Sequence, residues 1–580
     1  MSVLEKIAKK GDKVTANDVW DMVKAAEDAR FNKEKQWYIN DRFYNNEHYI
    51  YYDRITGKMK TVKAGDSQVL RQIPKTTRQL DAMINIVSSN EFRWQLKPPG
   101  HVSSEQHKEY ISKHSRFLDD AYETLQVPDI MTEAILLGYE YPISYLWPGW
   151  DPLTQEFFID VYDVFDIYFD KPNITDIEQA NVMIKTFTKS LEELEEDPKY
   201  DISGRNLPQA DGKVSVSDVK DAREKEKYNG VEEIGSTNVN CAEVWRKTYD
   251  KVEGQWKPVM EVYAVAGNKV IRKPQKYPGT KFPIVAYKPR PGEIYGPAWI
   301  ELFLSMNKSL DSIVSSIETY AQQLAKPRLL VQGDQKVKVT DIGSAQLVEY
   351  FGGMPPQWLK PANMQKELVT LIGMLEKWIE EAGVSGVSMA QIPTQIKAGK
   401  AIEAIRQADY GNLQTAVRAG KKVTRELAQR VLEIGSRFMD YEYEINGGEN
   451  EKSFTAVSQK YRSAQNIAGE RIPETQFVLD PRMKVSVAVE PGLGYTEEAK
   501  RENLVMLYDK KILPGSEVLK GYQFSNISEL IDQQKLEEGI SMVDTEDFNM
   551  LPPEIQKAAL MYLKKVSPAG QAGSPEGALE

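Results

Sequence analysis

Four aspartates that lie close together in the sequence are the residues whose spacing first suggests chemistry. Clustered carboxylates are the ligands that hold Ca²⁺, or the metal ions of a metal-dependent nuclease. Apolar residues alternate with these aspartates, as in a half-buried strand with one solvated face. We favour that structural interpretation and keep a metal-dependent nucleic-acid enzyme as the alternative. The four residues are Asp160, Asp163, Asp166 and Asp170.

Other residue types that could support catalysis lack the spacing that catalysis needs. The Gly-Lys pairs at 399–400 and 420–421 lack the earlier Gly and the following Ser or Thr of a phosphate-binding loop. The four histidines show no metal-ligand spacing, and we interpret His107 and His114 as exposed residues on one helix face. The single cysteine, Cys241, excludes an internal disulfide and is interpreted as a small buried apolar residue. We therefore expect no enzymatic activity, no cofactor and no metal.

The composition indicates a folded, acidic protein with several lobes. Of the 580 residues, 41% are apolar and 27% are charged, and the net charge is −11. Such a surface does not grip nucleic acid over its whole area, so any DNA partner should be held loosely. No stretch approaches about eighteen consecutive apolar residues, and we expect a soluble product without a membrane span or signal peptide.

The first 296 residues predict a mixture of helices and strands. Helical periodicity over 17–46, with Asn17 as the expected N-cap, is followed by further helices and by a strand-like alternation over 157–169. Residues 203–236 are charged, poor in aromatic residues and interrupted by Pro and Gly, so we expect a mobile insertion there. Later strands are predicted in VNCAEVWRKTYD, MEVYAVAG, NKVIRKP and FPIVAYKP.

Two helices that each carry one narrow apolar stripe are predicted next. The first would span about 28 residues and roughly 40 Å at 1.5 Å per residue. Short strands between the two helices predict a small exposed module. The helices either form an ordinary hairpin on their own core or pack side by side against neighbouring copies in a ring. The predicted stripes are Phe303, Met306, Leu310, Ile313, Ile317, Tyr320 and Leu324, then Leu368, Leu371, Leu375, Trp378 and Ala382.

The stretch GVSGVSMAQIPTQIK at 383–397 interrupts the helical pattern with small, neutral residues. A loop of this length inside a compact region is usually functional or disordered. Beyond it, periodicity predicts a helix of some forty residues from 398 to about 440, with Gly411 and Gly420 as kink points. A β section, VSVAVEPGLG, and small helices follow, and residues 566–580 have the composition of a disordered tail.

The order of these elements resembles the portal proteins of tailed bacteriophages. The resemblance extends from about residue 17 to residue 536 and depends on the succession of stretches, since no single stretch is diagnostic. The stretches are WYINDRFYNNEHY, IPKTTRQLDAMINIVSSNEFRWQLKP, ILLGYEYPISYLWPGWDP, VFDIYFD, CAEVWRKTYD and YPGTKFPIVAYKPRPGEIYGPAWIELFLSMNKSLDSIVSSIE.

The resemblance implies an α+β protomer with a helix-rich and β-containing wing, two long stem helices and a small α/β clip. It also implies a long tunnel and wing helix and a short helical C-terminal crown. The implied parts are wing 1–296 with a mobile insertion at about 203–236, stem helix 297–327, clip 328–362, second stem helix 363–382, tunnel loop 383–397, long helix and returning wing 398–489, crown 490–565 and disordered tail 566–580.

The resemblance further implies a non-enzymatic ring, in most cases of twelve subunits, at one capsid vertex of the virion. Such a ring is a conduit for double-stranded DNA during packaging and ejection, and it assembles in the host cytoplasm. Implied partners are the terminase large subunit, the major capsid and scaffolding proteins and a head-tail adaptor, with no membrane. Besides the nucleic-acid enzyme, another oligomeric virion component such as an adaptor remains an alternative.

Two groups of residues are the expected contact sites. The tunnel loop should be small and mostly neutral, because each contact between a cation and a phosphate adds salt-sensitive affinity that would hold DNA in place. The clip is too small to bury a core of its own, so we predict that its strands complete their pairing on the adjacent subunit. The expected DNA-facing residues are Ser385, Ser388, Gln391, Thr394, Gln395, Lys397 and Lys400, and the residues facing terminase or adaptor are Asp334, Lys336, Lys338 and Gln357.

Overall fold

The computed structural model describes most of the chain between residues 15 and 490. The gaps in this range are 57, 66–67, 98–104, 153, 203–237, 253–254, 326–328, 331–335, 343–344, 352–356, 359–365, 389–398, 446–452, 469–472 and 474. All described residues belong to one unit, Met1–Gly494. Helices and sheets are both present, as the predicted α+β class requires. The predicted insertion, tail and nearly all of the predicted crown lie outside the described residues.

Nine helices are labelled here in chain order within the described ranges. They are α1 Ala16–Tyr44, α2 Lys75–Ser88, α3 Glu105–Thr124, α4 Val127–Glu140, α5 Leu191–Glu196, α6 Glu301–Ala325, α7 Lys366–Ala382, α8 Gly399–Phe438 and α9 Gln459–Ala468. The two predicted rods correspond to α6 and α7, and the predicted forty-residue helix corresponds to α8. In this described part of the chain, no helix combines the length and apolar character that a membrane span needs.

The described strands form several small sheets and one larger sheet. They are β1 Ile50–Asp53, β2 Lys58–Thr61, β3 Glu91–Lys97, β4 Ser144–Asp151, β5 Glu156–Tyr162, β6 Ile167–Phe169, β7 Val182–Ser190, β8 Asn238–Val252, β9 Gln255–Ala266, β10 Lys269–Pro278, β11 Val285–Tyr287, β12 Leu329–Leu330, β13 Lys336–Ile342, β14 Ala345–Phe351, β15 Gln357–Trp358, β16 Tyr443–Ile445, β17 Phe454–Val457, β18 Gln476–Val478 and β19 Lys484–Glu490. The larger sheet has the antiparallel order β10-β9-β8-β7-β6, and β11-β4-β5 form a second sheet.

The predicted alternation over 157–169 is two strands in two different sheets, so the prediction of one continuous strand is wrong. β5 pairs with β4, whereas β6 pairs with β7. A turn separates them, in which the Asp163 carboxylate accepts a hydrogen bond from the Phe165 backbone N–H at 2.8 Å. The alternation of apolar residues continues through this turn because its apolar side chains, Val164 and Phe165, are themselves buried.

Helix α1 begins at a capping box and is fixed to the sheet region by a buried arginine. Thr15, two residues before the predicted cap, accepts the Asp18 backbone N–H through its side chain, and the Asp18 carboxylate accepts the Thr15 N–H. About four turns beyond Thr15, the buried Arg30 guanidinium donates to the carbonyl oxygens of Val164, Phe165 and Ile167 at 2.8 to 2.9 Å. It also bonds Glu34 and lies over the Tyr168 ring at 3.7 Å.

The long helix α8 packs on a two-stranded sheet that joins distant parts of the chain. Strand β19 pairs antiparallel with β3, from Lys484 opposite Lys97 to Glu490 opposite Glu91. Gly420 lies directly on this sheet, because a Cβ there would come within 2.7 Å of the Phe92 ring. Helix α8 is continuous through Gly420, from Gly399 to Phe438, and the close approach of Phe92 accounts for the glycine, while the predicted kink stays a prediction.

Candidate functional site

The helices α6 and α7 form an antiparallel hairpin that connects the body of the protein to the short strands β12–β15. A Cβ at Gly383, just after α7, would lie 3.2 Å from the Phe303 ring, near the start of α6. One turn further along α6, Thr76 bonds Asn307, and its neighbour Lys75 bonds Glu376 of α7. The end of α7 therefore lies beside the start of α6, and we call the pair the stem hairpin.

One face of α6 is exposed and made of small neutral residues. The serines follow each other at spacings of four, three and four residues, which places them on one side of a helix. The hydroxyls of Ser309 and Ser316 donate to the carbonyl oxygens of Ser305 and Ser312, one turn earlier. We call Ser305, Ser309, Ser312 and Ser316 the serine face. This row carries neither charge nor apolar periodicity, so the patterns that predict the helices do not indicate it, although the spacing of the serines is visible in the sequence.

The exposed face of α7 is apolar, and here the predicted stripe is partly wrong. Leu375 and Ile379 are buried against the rest of the protein, whereas Met374 is 45% exposed and Trp378 is 43% exposed. Leu371, Met374 and Trp378 lie on one side of the helix at spacings of three and four residues, and we call them the apolar stripe. Glu367 and Glu381 extend the same side at its two ends and are exposed.

Another side of α6 is polar and largely buried, and it binds residues 69–76, which we call the strap: extended chain as far as Ile73, then Pro74 and the first two residues of α2. Backbone N–H groups of the strap donate to α6 side chains one helical turn apart, and the donors are alternate residues as far as Ile73. The four bonds are Val69 to Thr319 at 3.0 Å, Arg71 to Ser315 at 2.8 Å, Ile73 to Asp311 at 2.8 Å and Thr76 to Asn307 at 3.1 Å. Two extended residues rise about 6.6 Å and four helical residues about 6 Å, so the two periods match.

The strap is held further by contacts of Asp311 and Arg71. His48 Nδ1 lies 2.6 Å from the Asp311 carboxylate, both side chains are buried, and the His48 ring stacks on Phe43 at 3.9 Å. At the other end, the Arg71 guanidinium bonds Glu318 through two nitrogens and holds the pKa of that carboxyl below its usual value. The strap therefore fixes the chain that precedes α2 along three turns of the stem hairpin.

The first residues of the predicted tunnel loop, 383–388, are fixed to the body. The Gln79 side chain accepts the Val384 N–H at 3.0 Å and donates to the Val384 carbonyl at 3.1 Å. The buried Asp409 carboxylate of α8 accepts the Ser385 N–H and the hydroxyls of Ser385 and Ser388 at 2.5 to 3.0 Å. These two serines were predicted to face DNA, but their hydroxyls are engaged within the chain.

The other predicted contact residues are less fully described. Gln391, Thr394, Gln395 and Lys397 lie outside the described residues, and so does Asp334 of the clip. Lys400 is in the first turn of α8. In the clip, Lys336 and Lys338 are on β13, which pairs with β14, and Gln357 is on β15, which pairs with β12. These pairs are both two-stranded within the described ranges, so the predicted pairing across subunits stays a prediction.

The aspartates that suggested a metal site are separated by the fold. Asp160 accepts the Tyr162 hydroxyl at 3.0 Å, and the Asp170 carboxylate accepts the backbone N–H groups of Asn181 and Val182. Asp163 is bonded within its own turn. Within the described ranges, no three His, Cys, Asp or Glu side chains lie close enough together to hold a metal ion.

Two other predictions about single residues have opposite outcomes. Cys241 is buried, as predicted, and burial raises the pKa of its thiol to about 12. His114 is buried, so its predicted exposure is wrong. Its Nδ1 lies 2.9 Å from the Tyr110 carbonyl oxygen, and its Nε2 accepts the Asp480 N–H at 3.0 Å. Burial lowers the pKa of His114, because the charged ring is disfavoured away from water.

The comparisons with known proteins do not assign this site. No protein-family model matches the chain, and no curated protein matches it either.

Proposed function

We propose that this chain is the portal protein of a tailed bacteriophage. In this proposal, copies of the chain assemble into a ring, of twelve subunits in most relatives of this class, at one capsid vertex of the virion. The order of elements in the sequence is the first support. The stem hairpin, with a short-stranded module at its tip and a body at its base, is the second.

The observation that carries the proposal is the apolar stripe on α7. Leu371, Met374 and Trp378 are exposed although the opposite side of the same helix is buried. A contiguous apolar patch on a helix that is already packed marks a surface for another chain. In a ring, each stem hairpin meets a neighbour on both sides, so the stripe would be covered by the next copy.

The serine face of α6 supports the role of a conduit for double-stranded DNA. The hydroxyls of Ser309 and Ser316 donate to carbonyls of the helix itself, and the four serines carry no charge that would pair with phosphate. Lys308 borders this face, but its ammonium group lies 5.8 Å from the Phe43 ring, toward the body. A neutral, small-residue wall allows DNA to slide, because cation-phosphate contacts are what hold the polymer.

The hydrogen bonds of residues 383–388 limit the part of the tunnel loop that we propose to contact DNA. Since Ser385 and Ser388 are bonded to Asp409, we assign them to the base of the tunnel loop and not to the sliding surface. The proposed sliding contact is then made by 389–397, with Lys400 at its end. The proposed partners at the clip are the terminase large subunit and a head-tail adaptor, while the major capsid and scaffolding proteins bind the wing.

The ring is tested by electron microscopy of the purified full chain, together with its mass in solution. We expect rings with a central hole. A single-copy particle without a hole, at the concentrations reached during phage assembly, would contradict the proposal.

The conduit is tested in phage carrying a portal with residues 389–397 replaced by a Gly/Ser segment of equal length. We expect rings of normal appearance and heads with shortened or missing genomes. The same replacement at residues 446–452 is the control and should leave packaging unchanged. Full-length genomes in both variants would remove the loop from the proposal without affecting the ring.

A further inference from the structure

The hairpin formed by β1 and β2 is a second exposed surface, and it is basic. Residues 50–63 contain four cations, Arg54, Lys58, Lys60 and Lys63, and one carboxylate, so the segment has a net charge of +3 in a chain of net charge −11. Asp53 pairs with Lys60, while Arg54, Lys58 and Lys63 are exposed. A basic segment on an acidic protein indicates an acidic partner surface.

The same hairpin also exposes apolar side chains. Ile55 at the tip is 95% exposed, and Tyr51 and Val62 are also exposed. One side of the hairpin packs on α1, where the Tyr52 ring contacts Phe31 edge-on. The register places Tyr51, Lys58 and Lys60 on the other side. This outer side combines apolar groups with cations, and no other strand pairs with it among the described residues.

The α7 surface has the complementary chemistry. The helix contains four glutamates and two lysines, a net charge of −2. Glu367 and Glu381 lie at the two ends of the apolar stripe, and Glu381 is 3.6 Å from Lys377. An apolar centre with acidic ends matches a hairpin that has an apolar tip and flanking cations. Charge complementarity of this kind sets the register of an interface and excludes other partners.

The strap places the base of the β1–β2 hairpin level with one end of the apolar stripe. The base of the β1–β2 hairpin lies beside Ser315, because the Tyr49 hydroxyl is 2.8 Å from the Ser315 hydroxyl and Val62 bonds Tyr49. Ser315 is eight residues beyond Asn307, which is level with Glu376. Since α7 runs antiparallel to α6, the matching position on α7 is about eight residues before Glu376, in the Glu367 half of the apolar stripe.

We infer that the β1–β2 hairpin of one copy docks on the apolar stripe of α7 of the next copy. Within one chain the hairpin is held on the strap side of α6 and leaves the stripe uncovered. Copies related by rotation about an axis present one side to the unlike side of their neighbour, which is a heterologous contact. This inference rests on the proposed ring and names the element that joins its subunits.

Disulfide trapping in the full chain tests the contact. The variant Ile55→Cys/Met374→Cys should give a ladder of cross-linked species up to the full ring under mild oxidation. Single variants should give none, because Cys241 is buried. Ile55→Cys/Ile467→Cys is the control, since Ile467 on α9 is an apolar residue that is more exposed than Met374, 88% against 45%, and lies outside the proposed contact. A ladder requires the two Cβ atoms to approach within about 4 Å.

The outcomes separate this inference from the proposed function. Rings in the micrographs with no ladder above the control would overturn the hairpin contact and leave the ring proposal intact. Products that stop at dimers would also overturn it, because only a head-to-tail contact propagates. A ladder from Ser312→Cys/Met374→Cys instead would assign the stripe to the neighbour's serine face. A chain that forms no ring would overturn both proposals.

Charge reversal gives a second test that needs no cysteine. Arg54→Glu/Lys58→Glu should raise the protomer concentration needed for ring formation by roughly tenfold, since it turns attraction into repulsion. Adding Glu367→Lys/Glu381→Lys should restore much of the loss. A combined variant that assembles no better than Arg54→Glu/Lys58→Glu would contradict the pairing of these two surfaces.

Discussion

Two regions of the protein differ in how much of their surface is covered by the rest of the chain. One is the region around α1 and the five-stranded sheet, and the other is the stem hairpin. In the first region, a fully buried guanidinium, that of Arg30, is bonded to three carbonyls and to Glu34. In the second, helices of similar apolar content leave the serine face and the apolar stripe open. Groups that are bonded within the chain stabilise the protomer, whereas an exposed apolar stripe is the kind of surface that our proposal assigns to a neighbouring copy.

The largest loss of stability is expected on replacing Arg30, whose buried guanidinium is bonded entirely within the chain. Arg30→Met would leave the carbonyls of Val164, Phe165 and Ile167 without their donor and Glu34 without its ion pair. We expect the free energy of unfolding to fall by about 3–5 kcal/mol, the range for a broken buried ion pair. Urea unfolding measures it. The control Lys33→Met, at an exposed position of the same helix, should change stability by less than about 0.5 kcal/mol.

Two neighbouring residues of α7 test the boundary between the covered and open faces. Leu375→Ala removes a buried side chain and should lower the free energy of unfolding of the protomer by about 2–5 kcal/mol. Met374→Ala removes an exposed one and should change it by less than about 0.5 kcal/mol, while weakening ring formation. Unfolding and sedimentation of both variants measure the two effects. Equal losses of stability would mean that the two faces are not distinct.

Two glycines of α8 give a pair of opposite effects within one helix. Gly420→Ala would place a Cβ 2.7 Å from the buried Phe92 ring, and overpacking of this kind costs about 1–3 kcal/mol. Gly411→Ala meets nothing within 4 Å and should stabilise the helix by about 0.5–1 kcal/mol. Thermal unfolding should therefore shift in opposite directions. A stabilised Gly420→Ala variant would contradict the close packing of α8 on β3.

The smallest expected effect is the pH dependence of the free energy of unfolding that His114 contributes. The folded state lowers the pKa of His114, so its contribution to stability is complete above the unfolded value of about 6.5 and declines as the pH falls below it. One proton accounts for at most about 1.4 kcal/mol per pH unit. His114→Gln should flatten the loss of stability between pH 6.5 and 5, measured by urea unfolding. An unchanged slope would contradict a neutral, buried His114.

Periodicity in the sequence predicts the long elements well but not which faces are covered. Helix α8 begins and ends within two residues of its predicted bounds. On α7, however, Leu371, Met374 and Trp378 form one apolar stripe, and Ile372, Leu375 and Ile379 form another. Both satisfy the spacing of a helix face, and only packing against α6 and the body decides that the second is buried.

Contacts between distant side chains could not be predicted from local patterns. Asp409 bonds serines more than twenty residues earlier, and Gln79 bonds Val384 across about three hundred residues. In the sequence, neither Asp409 nor Gln79 belongs to a spacing pattern that would predict its partner. The polar residues of α6 that bind the strap do repeat every four positions, and a search for polar stripes as well as apolar ones would have found them.

The pairing of β3 with β19 has a consequence for how the protein is made. Close to four hundred residues separate the two strands, and β3 pairs with no other strand among the described residues. A ribosome adding about 5–20 residues per second needs roughly 20–80 s to reach β19 after β3 has emerged. During that interval β3 lacks its partner strand, so the nascent chain exposes an unpaired strand edge that is open to pairing with other chains until synthesis is nearly complete.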